Sequence, residues 1–162
     1  ITVGQKMPAG RFDVMRDGDP GEMTTGELFD GKSVVLISIP GAFTPTCSMS
    51  HLPGFVQLAD EIFATGVDTI ACMAVNDVFV MNAWGKDQGV GDKILMLADG
   101  NGDYVKALGL DLDGRSFGMG IRGQRFAMIV DDGKVTHLAV EEPAMFAVSK
   151  AEAVLGVLQA RA

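Results

Sequence analysis

Residues 34–39 constrain the fold of this chain more than any other segment, because they form a nearly continuous apolar, β-branched run. Such a run predicts a strand that is buried on both faces, as at the centre of a sheet covered by helices. Apolar residues then recur at helical spacing from Leu52 to Phe63, and Gly66 is placed to end that helix. A buried strand followed by an amphipathic helix indicates an α/β protein.

The alternation of strand and helix continues along the chain. Residues 69–75 and 94–98 are predicted strands, and between them Asp77 is placed to cap a helix over residues 78–88. The segment Asp131-Asp132-Gly133 is typical of a hairpin turn between two more strands, residues 124–130 and 134–140. We therefore expect a central mixed β-sheet flanked by helices, which is compatible with a thioredoxin-like fold without singling it out.

The chain is predicted to close with a helix. Ser149 and Glu152 have the spacing of a capping box, in which each residue satisfies a backbone N–H of the first turn. Val154, Leu155 and Leu158 follow at helical spacing.

Length and charge restrict the class of protein. At 162 residues the whole chain, 1–162, fits one domain, and no apolar run approaches the roughly 20 residues of a membrane-spanning helix. The formal net charge of −8, without any Lys/Arg cluster, makes nucleic acid and membrane surfaces unexpected partners. Two cysteines do not make a disulfide framework, so a reducing cytoplasm is the expected location. No targeting segment follows Ile1, although a trimmed one is left open.

The loop after the first buried strand contains the candidate reactive residues. It runs Pro-Gly-Ala-Phe-Thr-Pro-Thr-Cys at positions 40–47 and places Cys47 in the first turn of the next helix. There, free backbone N–H groups and the helix dipole favour a thiolate over a thiol. Thr44 can cap the helix or lie beside the sulfur, and Pro40 stiffens the loop. These features alone leave open whether Cys47 is a nucleophile or a small core residue beside a helix cap.

This segment resembles the active-site motif of the peroxiredoxins. The sequence Pro-Gly-Ala-Phe-Thr-Pro-Thr-Cys-Ser at 40–48 is followed by His-Leu-Pro-Gly-Phe at 51–55, which is similar to the peroxiredoxin-5, or type II, subfamily. Residues 75–80, 97–102 and 125–133 also resemble that family. The resemblance implies a thioredoxin-like fold, a peroxidase that uses no cofactor or metal, and a homodimer.

The resemblance also implies roles for four residues. Cys47 attacks a peroxide, either hydrogen peroxide or a small alkyl hydroperoxide, and becomes a sulfenic acid. Thr44 binds the peroxide, Pro40 shields the thiolate, and Arg125 stabilises the thiolate and the transition state. Arg122 competes with Arg125 for this role, but positions three apart in an extended segment face opposite sides, so at most one should reach Cys47.

Three nearby residues admit two interpretations each. His51 suggests a cysteine–histidine pair, but we expect it to be structural, because Pro53 and Gly54 make a regular helix doubtful. Pro53 cannot donate to the carbonyl of Met49, which leaves either a static kink or a turn that unwinds during the reaction. Cys72 is a resolving cysteine or, as we expect, an inert strand residue. An external thiol, from glutathione, glutaredoxin or thioredoxin, would then reduce the sulfenic acid.

Other classes of function are weaker matches. Asp99 to Asp103 resembles the start of a calcium-binding loop, but Leu110 stands where that loop needs a glutamate, and the cysteines and histidines have no zinc spacing. A disulfide oxidoreductase would carry a second cysteine at position 50, where this chain has Ser50. A redox-sensing module that keeps Cys47 but does not turn over is the remaining alternative.

Overall fold

Strands and helices alternate along the chain, as the sequence predicts. The structure, a computed structural model, describes residues 1–161, so Ala162 at the end of the predicted domain lies outside the described residues. The strands are β1 (Arg11–Arg16), β2 (Asp19–Thr24), β3 (Ser33–Ser38), β4 (Thr69–Ala74), β5 (Leu95–Ala98), β6 (Asp111–Asp113), β7 (Ile121–Gly123), β8 (Phe126–Asp131) and β9 (Lys134–Val140). The α-helices are α1 (Thr25–Phe29), α2 (Leu52–Ala64), α3 (Val78–Asp87), α4 (Asp103–Leu108) and α5 (Ala151–Ala160).

A seven-stranded mixed sheet, in the order β2-β1-β5-β4-β3-β8-β9, forms the centre of the fold. Strands β3, β4 and β5 are parallel, whereas β1 and β8 join this group in antiparallel orientation. Strands β6 and β7 form a separate two-stranded ribbon. The parallel strands end at one edge of the sheet, which is where open α/β sheets place their sites.

The sheet is buried on both faces, which explains the apolar run in β3. Val35 and Ile37 pack on one side, in a core that includes residues of α2, α3 and α5. Val34 and Leu36 pack on the other side with residues of α1 and α4. Successive side chains of a strand point to opposite faces, so the four central positions of β3, residues 34–37, are all apolar.

The predicted caps are confirmed at α3 and wrong at α5. The Asp77 carboxylate accepts the N–H of Val80 and begins α3. Helix α5 begins at Ala151 with Lys150 as its N-cap, and no side chain caps it. The Ser149 hydroxyl instead donates to the Glu141 carboxylate at 2.6 Å, because a charged acceptor forms a stronger hydrogen bond.

The helices of the described part of the chain are short. Within residues 1–161, none is long and apolar enough to cross a membrane.

Candidate active site

Cys47 lies in a wide helical turn between β3 and α2. Residues Cys47–His51 are π-helical, and the N–H of Leu52 donates to the carbonyl of Cys47, five residues back. Pro53 follows in the first turn of α2 and has no N–H to donate, so it cannot form an α-helical bond with Met49. The turn is also held from outside, because the Trp84 indole N–H donates to the Ser48 hydroxyl at 2.9 Å.

Two side chains contact the Cys47 sulfur. The Thr44 hydroxyl oxygen lies 2.9 Å from Cys47 Sγ and 2.7 Å from the carbonyl oxygen of Gly41, so its single hydrogen has two acceptors in reach. Arg125 Nη2 donates to the same sulfur over 3.1 Å. The structure thus brings together Cys47, Thr44 and Arg125, which the sequence places in two distant segments. A cationic and a neutral hydrogen-bond donor therefore converge on one sulfur.

Pro40 and Arg122 lie beside this group, and among the described residues neither hydrogen-bonds to the sulfur. Pro40 is half-buried, and its carbonyl accepts a long hydrogen bond of 3.4 Å from Arg122 Nη1. Arg122 Nε donates to the carbonyl of Met119 at 2.8 Å. Of the two arginines only Arg125 hydrogen-bonds to Cys47, as the alternation of an extended segment predicts.

The loop that carries Thr44 is held tightly. The Asn76 side-chain oxygen accepts the N–H of Ala42 at 2.9 Å. Phe43 has a φ of 64°, a conformation that costs a non-glycine residue free energy. A Cβ on Gly41 would lie 3.0 Å from Arg122 Nη1, so only glycine fits without displacing that side chain. Asn76 is not among the predicted site residues, although it lies in the segment 75–80 that resembles the family.

His51 is buried and neutral. Its ring has no exposed surface, and burial and the charge of Arg125 lower the pKa of His51 to about 4, against opposing contributions from the Ser149 carbonyl and Glu141. Nδ1 of the ring lies 2.8 Å from Arg125 Nη1, and Nε2 lies 3.0 Å from the carbonyl oxygen of Ser149. His51 therefore contacts Arg125, not Cys47, in these hydrogen bonds.

Glu141, Phe146 and Ser149 surround His51 and Arg125 but were not among the predicted site residues. The Phe146 ring lies 5.1 Å from the His51 ring, centroid to centroid, and 5.9 Å from the Arg125 guanidinium carbon. His51 and Ser149 are 98 positions apart, so no local sequence pattern could join them. The sequence itself shows only an acidic residue at position 141, directly after the predicted strand 134–140.

Cys72 lies in β4, which is paired with β3. Its side chain is buried in the same core as Cys47, and burial, followed by the proximity of Cys47, raises the pKa of the Cys72 thiol well above its ordinary value. A neutral thiol is a poor nucleophile.

The segment that resembles a calcium loop has another structural use. The two carboxylate oxygens of Asp99 accept the N–H groups of Tyr104 and Val105, at 3.0 and 2.9 Å. Asp99 thus satisfies free donors in the first turn of α4.

Comparison with known proteins connects this geometry to a family. Residues 2–155 match the Redoxin family. The chain belongs to the redoxin family. A crystal structure of reduced Prx3 from Vibrio vulnificus, in complex with H2O2, is 51% identical, covers 98% of this chain and 99% of that one, and superposes with a TM-score of 0.94.

Curated relatives narrow the family to peroxiredoxins. Peroxiredoxin-2D of Arabidopsis thaliana is 45% identical and covers 98% of both chains. Chloroplastic peroxiredoxin-2E of the same plant is also 45% identical, over 98% of this chain and 69% of the relative. The type II resemblance and the thioredoxin-like fold predicted from the sequence are therefore confirmed. This redoxin is a thiol-dependent peroxidase, which is an oxidoreductase.

Proposed function

We propose that Cys47 is the thiolate that this peroxidase uses to reduce peroxides. The observation that supports it most is that Thr44 and Arg125 both hydrogen-bond to its sulfur, at 2.9 and 3.1 Å. The sulfur attacks one peroxide oxygen, a new S–O bond forms, and the O–O bond breaks. The sulfur loses two electrons and becomes a sulfenic acid, while the other oxygen takes a proton and leaves as water or an alcohol.

The neighbouring residues have separate roles in this step. Thr44 can turn its hydroxyl from the Gly41 carbonyl to an incoming peroxide oxygen, because the hydroxyl lies 2.9 Å from the sulfur that the peroxide must approach. The Arg125 guanidinium stabilises the negative charge as it moves from sulfur to the leaving oxygen. We expect Pro40, in the loop before Cys47, to shield the thiolate from bulk water, as the family resemblance implies.

We expect hydrogen peroxide and small alkyl hydroperoxides to be the substrates. Cys47 has no exposed surface, which favours small molecules. The Vibrio relative named above is described in complex with hydrogen peroxide, which supports the same substrate here.

The reductant is proposed to be an external thiol, from glutathione and glutaredoxin or from thioredoxin. Cys72 is structural in this scheme, because it is buried in a central strand and its thiol stays protonated. The reaction would run in the cytoplasm, where such thiols are kept reduced. Cell fractionation tests this location.

A homodimer is proposed for the assembled protein. Phe43, Phe79 and Phe117 are large exposed apolar side chains. The loop of Phe43 is hydrogen-bonded to Asn76, just before Phe79, and the Met119 side chain near Phe117 approaches Gly41. These three side chains thus come from segments around the Cys47 loop, where a second copy could cover them.

The assignment of Cys47 is tested by peroxide consumption and by intact mass. The wild type and Cys72→Ser should consume peroxide with glutathione and glutaredoxin, and Cys47→Ser should not. After peroxide alone the mass should rise by one oxygen, and glutathione should convert that species to a mixed disulfide. Full activity of Cys47→Ser would disprove the assignment, and near-total loss in Cys72→Ser would make Cys72 the resolving cysteine.

A further inference from the structure

Arg125 is held from the side that faces away from the sulfur. One terminal nitrogen, Nη2, donates to Cys47 Sγ, and the other, Nη1, lies 2.8 Å from His51 Nδ1. A guanidinium has only donors, so His51 Nδ1 must be unprotonated and must accept this hydrogen bond. A neutral histidine then carries its proton on Nε2 and donates it to the carbonyl of Ser149 at 3.0 Å. Both ring nitrogens are used, and the tautomer is fixed by its partners.

The Ser149 carbonyl is itself held in place by Glu141. The carboxylate of Glu141 accepts the N–H of Ala147 at 2.7 Å, of Val148 at 3.3 Å and of Ser149 at 2.9 Å. It also accepts the Ser149 hydroxyl at 2.6 Å. One carboxylate with four donors fixes the orientation of the turn over residues 147–149. Burial raises the pKa of Glu141, but these hydrogen bonds outweigh burial and lower it, so the carboxylate stays charged.

Phe146, in the same segment, packs against both His51 and Arg125. Its ring packs against the His51 ring and lies under the Arg125 guanidinium. The segment from Glu141 to Ser149 therefore contacts both the histidine and the arginine, although it contributes no hydrogen bond to Cys47.

We propose that Glu141 is a positioning residue for peroxide reduction: by fixing the carbonyl of Ser149 it holds His51 in the Nε2–H tautomer, and His51 in turn holds Arg125 against Cys47. This inference rests on the proposed role of Arg125 at the sulfur. Loss of the Glu141 carboxylate frees the turn and allows the His51 ring to rotate, so Nη1 loses its acceptor. A displacement of about 1 Å in a reacting group can cost about a hundredfold in rate.

The first test compares Glu141→Gln with Glu142→Gln. Both changes remove one negative charge, but Glu142 is exposed and its side chain makes no hydrogen bond among the described residues. We expect Glu141→Gln to slow sulfenic acid formation at Cys47 by about tenfold or more, and to slow alkylation of Cys47 by iodoacetamide much less. Alkylation needs the thiolate but not a guanidinium aimed at a breaking O–O bond. Glu142→Gln should match the wild type in both reactions.

The second test asks whether Arg125 needs a hydrogen-bond acceptor at the position of His51 Nδ1. The side-chain oxygen of His51→Asn can stand where Nδ1 stands and accept from Arg125, whereas His51→Leu offers no acceptor. We expect His51→Leu to slow peroxide reduction by about a hundredfold and His51→Asn to recover most of that rate. Equal loss in the two variants would overturn the proposal, because it would show that His51 only fills space.

The third test reads the tautomer directly. The 15N chemical shifts of the ring distinguish a protonated from an unprotonated nitrogen, and the chain has two histidines, so His137→Gln assigns the signals. The wild type should show Nε2–H at His51, and Glu141→Gln should show a mixture. If Glu141→Gln does not fold, Ser149→Ala, which removes one of the four donors, should give a smaller change in the same direction.

An unchanged tautomer together with an unchanged peroxide rate in Glu141→Gln would overturn the proposal. This result differs from a failure of the proposed function, in which the wild type itself would form no sulfenic acid. The tautomer is read without any turnover.

Discussion

Arg125 serves two partners with two different nitrogens, and this explains why its identity matters. One nitrogen meets the Cys47 sulfur and the other meets His51. A lysine has a single terminal nitrogen, so it can reach one partner but not hold both in a fixed geometry.

We therefore expect Arg125→Lys to lower the rate of peroxide reduction by about a hundredfold, which is typical for the loss of one aligned donor. Stopped-flow measurement of Cys47 oxidation under single-turnover conditions checks this. Arg115→Lys is the control, because Arg115 is exposed and pairs with Asp113. A rate within about twofold of the wild type in Arg125→Lys would contradict the prediction.

His51 also makes stability depend on pH. Its pKa is about 4 in the folded protein and about 6.5 in the unfolded chain, so between these values only the unfolded chain binds the proton. The contribution of neutral His51 to the free energy of unfolding is full above about pH 6.5 and is lost as the pH falls toward 4. Between pH 7 and pH 5 the loss should be about 2 kcal/mol. The Arg125 guanidinium lies against Nδ1 of the ring, and on the Ser149 side hydrogen bonds keep the pKa of the Glu141 carboxyl below its ordinary value.

Urea unfolding at several pH values measures this effect. His51→Asn should flatten the dependence, because the variant lacks the titrating group. Burial also lowers the pKa of His137, so His137→Gln is needed to separate the two contributions. The slope should persist in His137→Gln; if it disappears there, His137 and not His51 is responsible.

At the scale of elements, the turn Cys47–His51 connects the site to α3. Trp84 of α3 donates to Ser48, one residue after Cys47, and it is the single tryptophan of the chain. Its fluorescence should therefore report on this turn.

We expect the Trp84 emission to change when one equivalent of peroxide is added, because the oxidised turn loosens and the indole loses its acceptor. The observed rate should rise linearly with peroxide concentration in a stopped-flow experiment. Cys47→Ser should give no change. A change that persists in Cys47→Ser would mean that the signal comes from elsewhere.

The sequence predicts elements better than it predicts contacts between them. The strands and helices around residues 34–98 were predictable, because hydrophobic periodicity depends on local neighbours. The first turn of α2 was predictable only as weakened, since Pro53 removes a hydrogen bond but does not specify a π-helical alternative. Ser149 was misassigned as a cap because its acceptor, Glu141, lies eight positions earlier, in the loop after β9.

The residues of the candidate site likewise divide into those that a local motif predicts and those that only the fold brings together. Cys47, Thr44 and Pro40 lie in one contiguous motif. Arg125 could be chosen over Arg122 from its place in the family-like segment 125–133, whereas the alternation of an extended segment indicates only that at most one of the two reaches Cys47. The second partner of Arg125 could not be found, because His51 was set aside as structural and Ser149 was assigned to a helix cap. Contacts over about a hundred positions depend on the packed fold and leave no local pattern.

At the scale of the whole molecule, three exposed phenylalanines lie around the carboxyl edge of the parallel strands. Phe117 is 82% exposed, and Phe43 and Phe79 are more than half exposed. Val3, 59% exposed, lies instead beside the β8–β9 hairpin, at the opposite edge of the sheet.

If these phenylalanines form the dimer interface, Phe79→Glu should shift the protein toward the monomer, because a charge in the centre of an apolar interface is costly. Sedimentation velocity over a range of concentrations measures the shift. Val3→Glu adds the same charge at the opposite edge and should leave the dimer intact. A purely monomeric wild type would rule out the dimer.

The complete burial of Cys47 has a kinetic consequence for the proposed cycle. A thiol reductant is much larger than a peroxide, so it can attack the oxidised sulfur only after the turn Cys47–His51 has opened. The rate at which this turn opens depends on the peroxidase and not on the reductant, because the turn must open before the reductant can reach the sulfur. Turnover should therefore reach the same ceiling with glutathione, glutaredoxin or thioredoxin once each is saturating, and that ceiling is the rate at which one short turn unwinds.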